Sequence, residues 1–163
     1  MNAPLPAAVQ FDIHGLAKAI VDAQASDALP CQLSLPQWSV LGGFMQPFPL
    51  SAGQILIEQG ARDGTVYFIE KGTLSAYSED EGVTTPMTMV GPGTVLGEGT
   101  FFTRQRRRST VKACTPCKIW CLTPLRFKDL AARHSPIALE LTVAMGSVMA
   151  KRLSIAPKKV AVT

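Results

Sequence analysis

The sequence predicts a mainly β domain, a jelly roll (double-stranded β-helix) closed by helices at its N- and C-terminal ends. Three observations predict it. Short β-type runs separated by glycine and proline turns fill residues 48–122, the signature of a barrel or jelly roll. Helical spacing governs the stretches before and after that region. The chain has 163 residues and 47% hydrophobic content, enough for one core.

The elements follow in order. Residues 1–10 are rich in Pro and Ala and are expected to be disordered at their start. Asp12 can cap a helix from about Ile13 to Ala25, with Ile13, Leu16, Ala17, Ile20 and Ala23 on one face. That face suits packing against the domain, with a dimer contact as the alternative. Pro30 and Pro36 bracket a linker. A short helix from Gln37 to Met45 would carry Trp38 and Leu41 inward. Strands are expected at Ile55 to Ile57, Thr65 to Glu70, Thr73 to Tyr77, Pro86 to Val90, Thr94 to Leu96, Ser109 to Ala113 and Lys118 to Leu122. Turn signals separate them at Gln59-Gly60, Lys71-Gly72, Glu81-Gly82 and Gly91-Pro92-Gly93. Thr123 then caps a helix with Pro124 in its first position. Ser135-Pro136 repeats that start for a helix of about 137–153, where Lys151 and Arg152 complement the helix dipole. The expected organisation is an extension at 1–36, a folded unit at 37–153 with its roll at about 48–122 and closing helices at about 124–153, and a basic tail at 154–163.

Charge is concentrated. The net charge is +4, and Arg104, Arg106, Arg107 and Arg108 account for all of it. Local basicity argues for one anionic site rather than a broad nucleic-acid-binding face. The four cysteines, Cys31, Cys114, Cys117 and Cys121, read as small reduced thiols, the last three on one strand from Val111 to Leu122 bent at Thr115-Pro116. No metal site, cofactor or catalytic residue is expected. The two histidines, His14 and His134, fall in predicted helices outside the barrel as exposed residues, so neither a cupin-type metal site nor a nucleophile triad is supported. No apolar run approaches the ~18–20 residues of a spanning helix, and no secretory leader pattern opens the chain, so a cytoplasmic protein with no membrane partner is expected.

The densest signal runs from Gly97 to Ala113: Gly97-Glu98-Gly99-Thr100, then Arg106-Arg107-Arg108-Ser109-Thr110-Val111-Lys112-Ala113. A glycine turn, an acid, a short helical start and an arginine make a set that a cyclic nucleotide monophosphate needs. Backbone N–H groups and a guanidinium take the phosphate, and a carboxylate accepts the ribose 2′-hydroxyl. With Gly53 to Gly60, Val66 to Gly72 and Gly91-Pro92-Gly93 ahead of it, and two capped helices after it, this segment resembles the phosphate-binding cassette of the cyclic-nucleotide-binding domain family, the sensor module of CRP/FNR regulators and of cAMP-dependent kinase regulatory subunits. The match covers roughly residues 37–153.

The resemblance implies a ligand site of Gly97, Glu98, Gly99, Thr100, Arg107, Arg108 and Ser109. Glu98 would hold the ribose and the N–H groups of Gly99 and Thr100 would face the phosphate. Counting back from Thr110 puts the phosphate arginine at Arg107, the preferred reading. Counting forward on the longer CRP-type cassette puts it at Arg108. The ligand implied is cAMP in preference to cGMP. The last helix, with Met145, Val148 and Met149, would close over the purine and signal to an effector protein or to a second copy of the chain. After Leu153 too few residues remain for a DNA-binding domain, so a stand-alone sensor is expected. The alternative is a degenerate fold that docks proteins without binding a nucleotide.

Overall fold

Eight strands form two four-stranded antiparallel sheets, flanked by five helices. The computed structural model describes residues 11–155. The elements are α1 (His14–Asp22), α2 (Leu35–Gly42), β1 (Gln46–Leu50), β2 (Ile55–Ile57), β3 (Val66–Lys71), β4 (Leu74–Asp80), β5 (Val83–Val90), β6 (Val95–Leu96), α3 (Glu98–Thr103), β7 (Thr110–Ala113), β8 (Cys117–Leu122), α4 (Pro124–Arg133) and α5 (Ser135–Ile155). One sheet runs β1-β8-β3-β6 and the other β2-β7-β4-β5. Strands adjacent in space are mostly distant in sequence, as in a jelly roll.

The alternation of β3 explains why the core is double. Tyr67 and Ile69 face the other sheet and join Leu50, Leu74, Val111 and Ile119 between the layers. Val66 and Phe68 point the other way, with Trp120 and Leu122 of β8, into a second core built with the helices. Both faces of β3 are therefore covered, and its burial is continuous from Val66 to Glu70. Ile13 at the N-cap of α1, Leu16, Ala17 and Ile20 of α1, and Leu141, Ala144, Met145 and Val148 of α5 lie in that second core. The apolar face of α1 is thus spent on packing. Below α1 the buried Glu70 accepts from Trp120 Nε1 at 3.0 Å and pairs with Lys118 Nζ at 3.1 Å, which satisfies both carboxylate oxygens.

Several boundaries differ from the sequence reading. α1 is shorter than expected, ending at Asp22, and Asp12 stands one residue before its N-cap, accepting from the His14 N–H at 3.0 Å. α2 begins at Leu35 because Ser34 and Gln37 form a reciprocal capping box, which places Pro36 inside the first turn rather than in a linker. β1 was not expected as a strand. The stretch Val111 to Leu122 is two strands in different sheets, not one bent strand. Cys114 lies exposed in the turn between them, while Cys31 and Cys117 are buried and Cys121 is half-buried. Thr123 caps α4 as expected, accepting from the Arg126 N–H at 3.2 Å. Ser135 is the first residue of α5, and the carbonyl of His134 accepts from Ile137 and Ala138. His134 is therefore a half-buried junction residue against the Phe44 ring, not an exposed helical one. α5 continues through Ile155, two residues beyond the expected end. The remainder of the basic tail, and the stretch 1–10 expected to be disordered, lie outside the described residues. No described helix is long and apolar enough to cross a membrane.

Candidate functional site

The segment between β6 and β7 crosses from one sheet to the other, and this crossing builds the site. β6 ends at Leu96. Gly97 then takes the left-handed conformation, φ +81°, and turns the chain into α3. Only glycine suits this place. A Cβ here would lie 2.5 Å from Arg107 Nη1 and 2.8 Å from the Thr65 carbonyl oxygen. α3 closes at Arg104, also left-handed, whose N–H returns to the Thr100 carbonyl at 2.8 Å. Gln105 and the arginines then lead into β7.

Arg107 is the fixed point of this crossing. Its backbone N–H donates to the Ala61 carbonyl at 2.9 Å, and its own carbonyl accepts from Gly60 at 2.8 Å. Its guanidinium donates through Nη1 to the Gly97 carbonyl at 2.9 Å and through Nη2 to the Thr65 carbonyl at 2.6 Å. Asp63 stands at 3.9 Å, too far for a hydrogen bond. The residue is only 4% exposed. Burial lowers the pKa of this guanidinium, while Asp63, Tyr67 and Glu98 act to raise it. Burial would also raise the Asp63 carboxyl. The backbone N–H and hydroxyl of Thr65, then Arg107, outweigh that and hold it below the ordinary carboxylate range. Burial, followed by Asp63, pushes the Tyr67 phenol up to about 12, so its hydroxyl remains a donor to Asp63 at 3.2 Å.

Glu98, the first residue of α3, is also buried. Its Oε1 accepts from Arg152 Nη1 of α5 at 2.7 Å. Arg152 Nε donates in turn to Asp27 Oδ2 at 3.0 Å, ahead of α2.

These groups surround a cavity of about 380 Å³, within the range of small-molecule sites. The structure brings all seven residues expected from the sequence, Gly97, Glu98, Gly99, Thr100, Arg107, Arg108 and Ser109, to its wall. It separates the two candidate arginines. Arg107 is sunk in the wall, whereas Arg108 is exposed. Arg106 also lines the cavity and donates to the Gly60 carbonyl at 2.9 Å. Ile57, Ala76, Met87, Leu96 and Val111 supply the apolar side. Met145 and Val148 are fully buried in the helical core, and of the three α5 residues expected over a purine only Met149 reaches the cavity. Arg152, Asp63 and Thr65 were not expected. In the sequence Arg152 is a helix-dipole partner, and only its three-dimensional position reveals the contact with Glu98.

A larger hollow of about 830 Å³ lies between Phe11–His14, Gly42–Gln46 and Arg126. Arg126 covers it by donating to the Gly43 carbonyl at 2.9 Å and stacking on Phe44. It contains no comparable set of acid, buried arginine and glycine turn.

The family model described as "Cyclic nucleotide-binding domain" matches residues 47–134. A cAMP-dependent protein kinase regulatory subunit of Eremothecium gossypii is 35% identical over 81 residues, 50% of this chain and 17% of that protein. The cAMP-activated global transcriptional regulator CRP of Salmonella typhimurium is 32% identical over 107 residues, 64% of this chain and 49% of that protein. The chain thus spans at most about half the length of these relatives. Among solved structures, a cyclic nucleotide-binding domain from Methylobacillus flagellatus superposes with a TM-score of 0.77 at 14% identity, covering 87% of this chain and 78% of that one. The catabolite activator protein of Thermus thermophilus superposes with a TM-score of 0.66 at 18% identity over 75% of this chain and 56% of that one. At these identities the structural likeness shows the fold.

Proposed function

The chain belongs to the cyclic nucleotide-binding domain family, and we propose that it is a cyclic-nucleotide sensor, binding cAMP in preference to cGMP in the cavity between α3 and α5. The observation that carries this reading is the buried Arg107 in the cavity wall. Its nearest acid is 3.9 Å away and its carbonyl partners are neutral. A guanidinium withdrawn from water with so little countercharge favours an anion beside it. It has five N–H donors and uses two in these bonds, so its hydrogen-bonding capacity is not exhausted by protein partners. Gly99 and Thr100 offer backbone N–H groups in the first turn of α3, and Glu98 offers an acceptor for the ribose. Arg108, exposed, and Ser109, half-buried, line the same cavity and are the residues we assign to the base. The preference for cAMP rests on the named ligand of the matched relatives.

In this reading the domain is a binding module without catalysis of its own, organised around residues 37–153. Its four free thiols suit the reducing cytoplasm. The signal leaves through α5. The inner stripe of this helix, Ile137, Leu141, Ala144 and Val148, is buried, yet Leu139, Val143, Gly146, Ala150 and Leu153 on the outer side are exposed and apolar as well. Their alternating spacing of four and three residues is that of a coiled-coil seam. A helix apolar on both sides is a helix with a second partner. A second copy of the chain pairing along this stripe fits it, and an effector protein is the other taker. The scaffold reading retains one observation in its favour: Arg107 and Glu98 already have protein partners without ligand.

Calorimetric titration with cAMP and cGMP tests the proposal. Micromolar binding of cAMP is expected. Arg107→Lys should weaken it by about tenfold or more, because the forked donors are lost, while Arg108→Ala should change it by less than about threefold. No heat with either nucleotide from folded protein would remove the sensor reading and leave the scaffold.

A further inference from the structure

Two of the four cysteines lie three residues apart, in Cys114-Thr115-Pro116-Cys117. This stretch joins β7, which ends at Ala113 in one sheet, to β8, which begins at Cys117 in the other. Cys114 is exposed and Cys117 is buried. Neither belongs to the wall of the cavity between α3 and α5. Thiols at this spacing close a disulfide only where the chain folds back between them, because the bridge needs Cα atoms within about 4.4–6.8 Å.

The chain does fold back here. The Thr73 carbonyl oxygen accepts from the Cys114 N–H at 2.9 Å, and the Cys117 thiol reaches the same oxygen at 3.7 Å. One atom thus gathers both residues. The Cys117 thiol also donates to the Thr115 carbonyl at 3.1 Å, and Thr115 Oγ1 accepts from the Thr73 N–H at 3.0 Å, so the turn is anchored on both sides. Gly72, at φ +93°, lays bare backbone against the sulfur: a Cβ there would stand 2.5 Å from Cys117 Sγ and 2.5 Å from the Pro116 oxygen. Burial raises the pKa of the Cys117 thiol. Its contacts to Thr115 and Thr73 oppose that, and the charge of a Cys114 thiolate adds to it. Cys117 is therefore a neutral thiol, covered from solvent and next to an exposed one.

We propose that Cys114 and Cys117 form a reversible oxidation site, a dithiol pair that takes hydrogen peroxide as its oxidant. The exposed Cys114 sulfur attacks one peroxide oxygen, the O–O bond breaks, and Cys114 sulfenic acid and one water result. The Cys117 sulfur then displaces the sulfenic oxygen. An S–S bond forms, the S–O bond breaks, and the hydroxyl leaves with the Cys117 proton as a second water. Two thiols are oxidised and one peroxide is reduced. A dithiol reductant reverses the step by exchange. The fold loses little in the process. Cys117 gives up two contacts of a weak S–H donor, and the Thr73 oxygen keeps the N–H groups of Cys114 and Thr115. A bridge closing so short a loop also adds little stability, which suits a switch rather than a staple. Reduced at rest and oxidised on demand is the pattern of sensing thiols in a reducing compartment.

The test exposes the full chain to hydrogen peroxide, quenches it by alkylation and digests it with trypsin. Cleavage after Lys112 and Lys118 releases Ala113 to Lys118, which holds both cysteines and no other. The expected result is a loss of two hydrogens from this peptide, reversed by dithiothreitol. In Cys114→Ser, an exposed substitution that leaves the core alone, oxidation of Cys117 should slow by about tenfold or more, because the buried thiol has lost its route to the oxidant. Equally fast oxidation of Cys117 in Cys114→Ser would overturn the pairing. So would wild-type Cys114 that advances to sulfinic acid while Cys117 stays reduced, or a bridge from either to Cys31 or Cys121. The digest reads no nucleotide, so its outcome is independent of the sensor reading.

Discussion

Gly97→Ala is the substitution whose consequences the structure specifies most fully. The residue sits at φ +81°, where a side chain costs roughly 1–2 kcal/mol. The added Cβ would also stand 2.5 Å from Arg107 Nη1 and 2.8 Å from the Thr65 oxygen. The second of these is backbone of a segment leading into β3 and cannot step aside. The first belongs to a long side chain, but one that is buried and bonded at both ends of its fork. Overpacking of this sort adds typically about 1–3 kcal/mol. The total is about 2–5 kcal/mol, a large share of an ordinary domain's stability of about 5–15 kcal/mol. Gly99→Ala is the matched control. It has open space around its Cβ and no positive φ, and it lies within α3. It should be neutral or stabilise by up to about 1 kcal/mol. Urea unfolding followed by the fluorescence of the buried Trp38 and Trp120 measures both. A Gly97→Ala loss below about 0.5 kcal/mol, or an equal loss from Gly99→Ala, would refute the argument that Gly97, Thr65 and Arg107 form one rigid contact.

Three further outcomes are expected. Burial, then Glu140, pushes the Cys31 thiol up to about 12, and burial raises Cys117 and Cys121, whereas Cys114 is exposed; a thiol-reactive dye at pH 8 should therefore modify Cys114 quickly, the half-buried Cys121 more slowly, and Cys31 and Cys117 only on unfolding, and equally fast reaction of all four would contradict this packing. The folded-state pKa of Asp63 lies below its unfolded value of about 3.9, so its contribution is present above that pH and is lost as pH falls through the lower, folded value. Asp63→Asn should accordingly be less stable than wild type at neutral pH, with the gap closing below about pH 4; a gap constant across pH would show that Asp63 acts by shape alone. Val143→Glu places a charge in the outer stripe of α5 without touching the core, and light scattering should find wild type dimeric and the variant monomeric; a monomeric wild type would leave the stripe to an effector.

What the sequence concealed has physical causes. Glycine turns and β-branched runs marked most of the roll, because turn chemistry is local. β1 stayed hidden because Pro47 and Pro49 interrupt its pattern, and β5 was expected to begin only at Pro86 though it starts at Val83. Both are edge strands, where a missing N–H need not break a ladder. The register shift between Ala76 and Tyr77 opposite Thr88 and Pro86 absorbs Met87, which then lines the cavity. The cassette was legible because its glycine, acid and arginine are close in sequence. Arg152 was not. Its partners are 54 and 125 residues away, and an arginine near a helix C-terminus carries an ordinary local explanation. The depth of Met145 and Val148 was likewise a matter of helix rotation. With apolar residues on both sides of α5, periodicity alone could not say which stripe faces inward.

The most direct test of the account is where a nucleotide binds. Backbone amide shifts of the isotope-labelled protein should be followed as cAMP is added. The largest changes are expected at Gly97 to Thr100, at Arg107 to Val111 and near Met149 and Arg152, with little change around Phe44 and Arg126. Absence of shifts, or shifts centred on the Phe44 hollow, would contradict it.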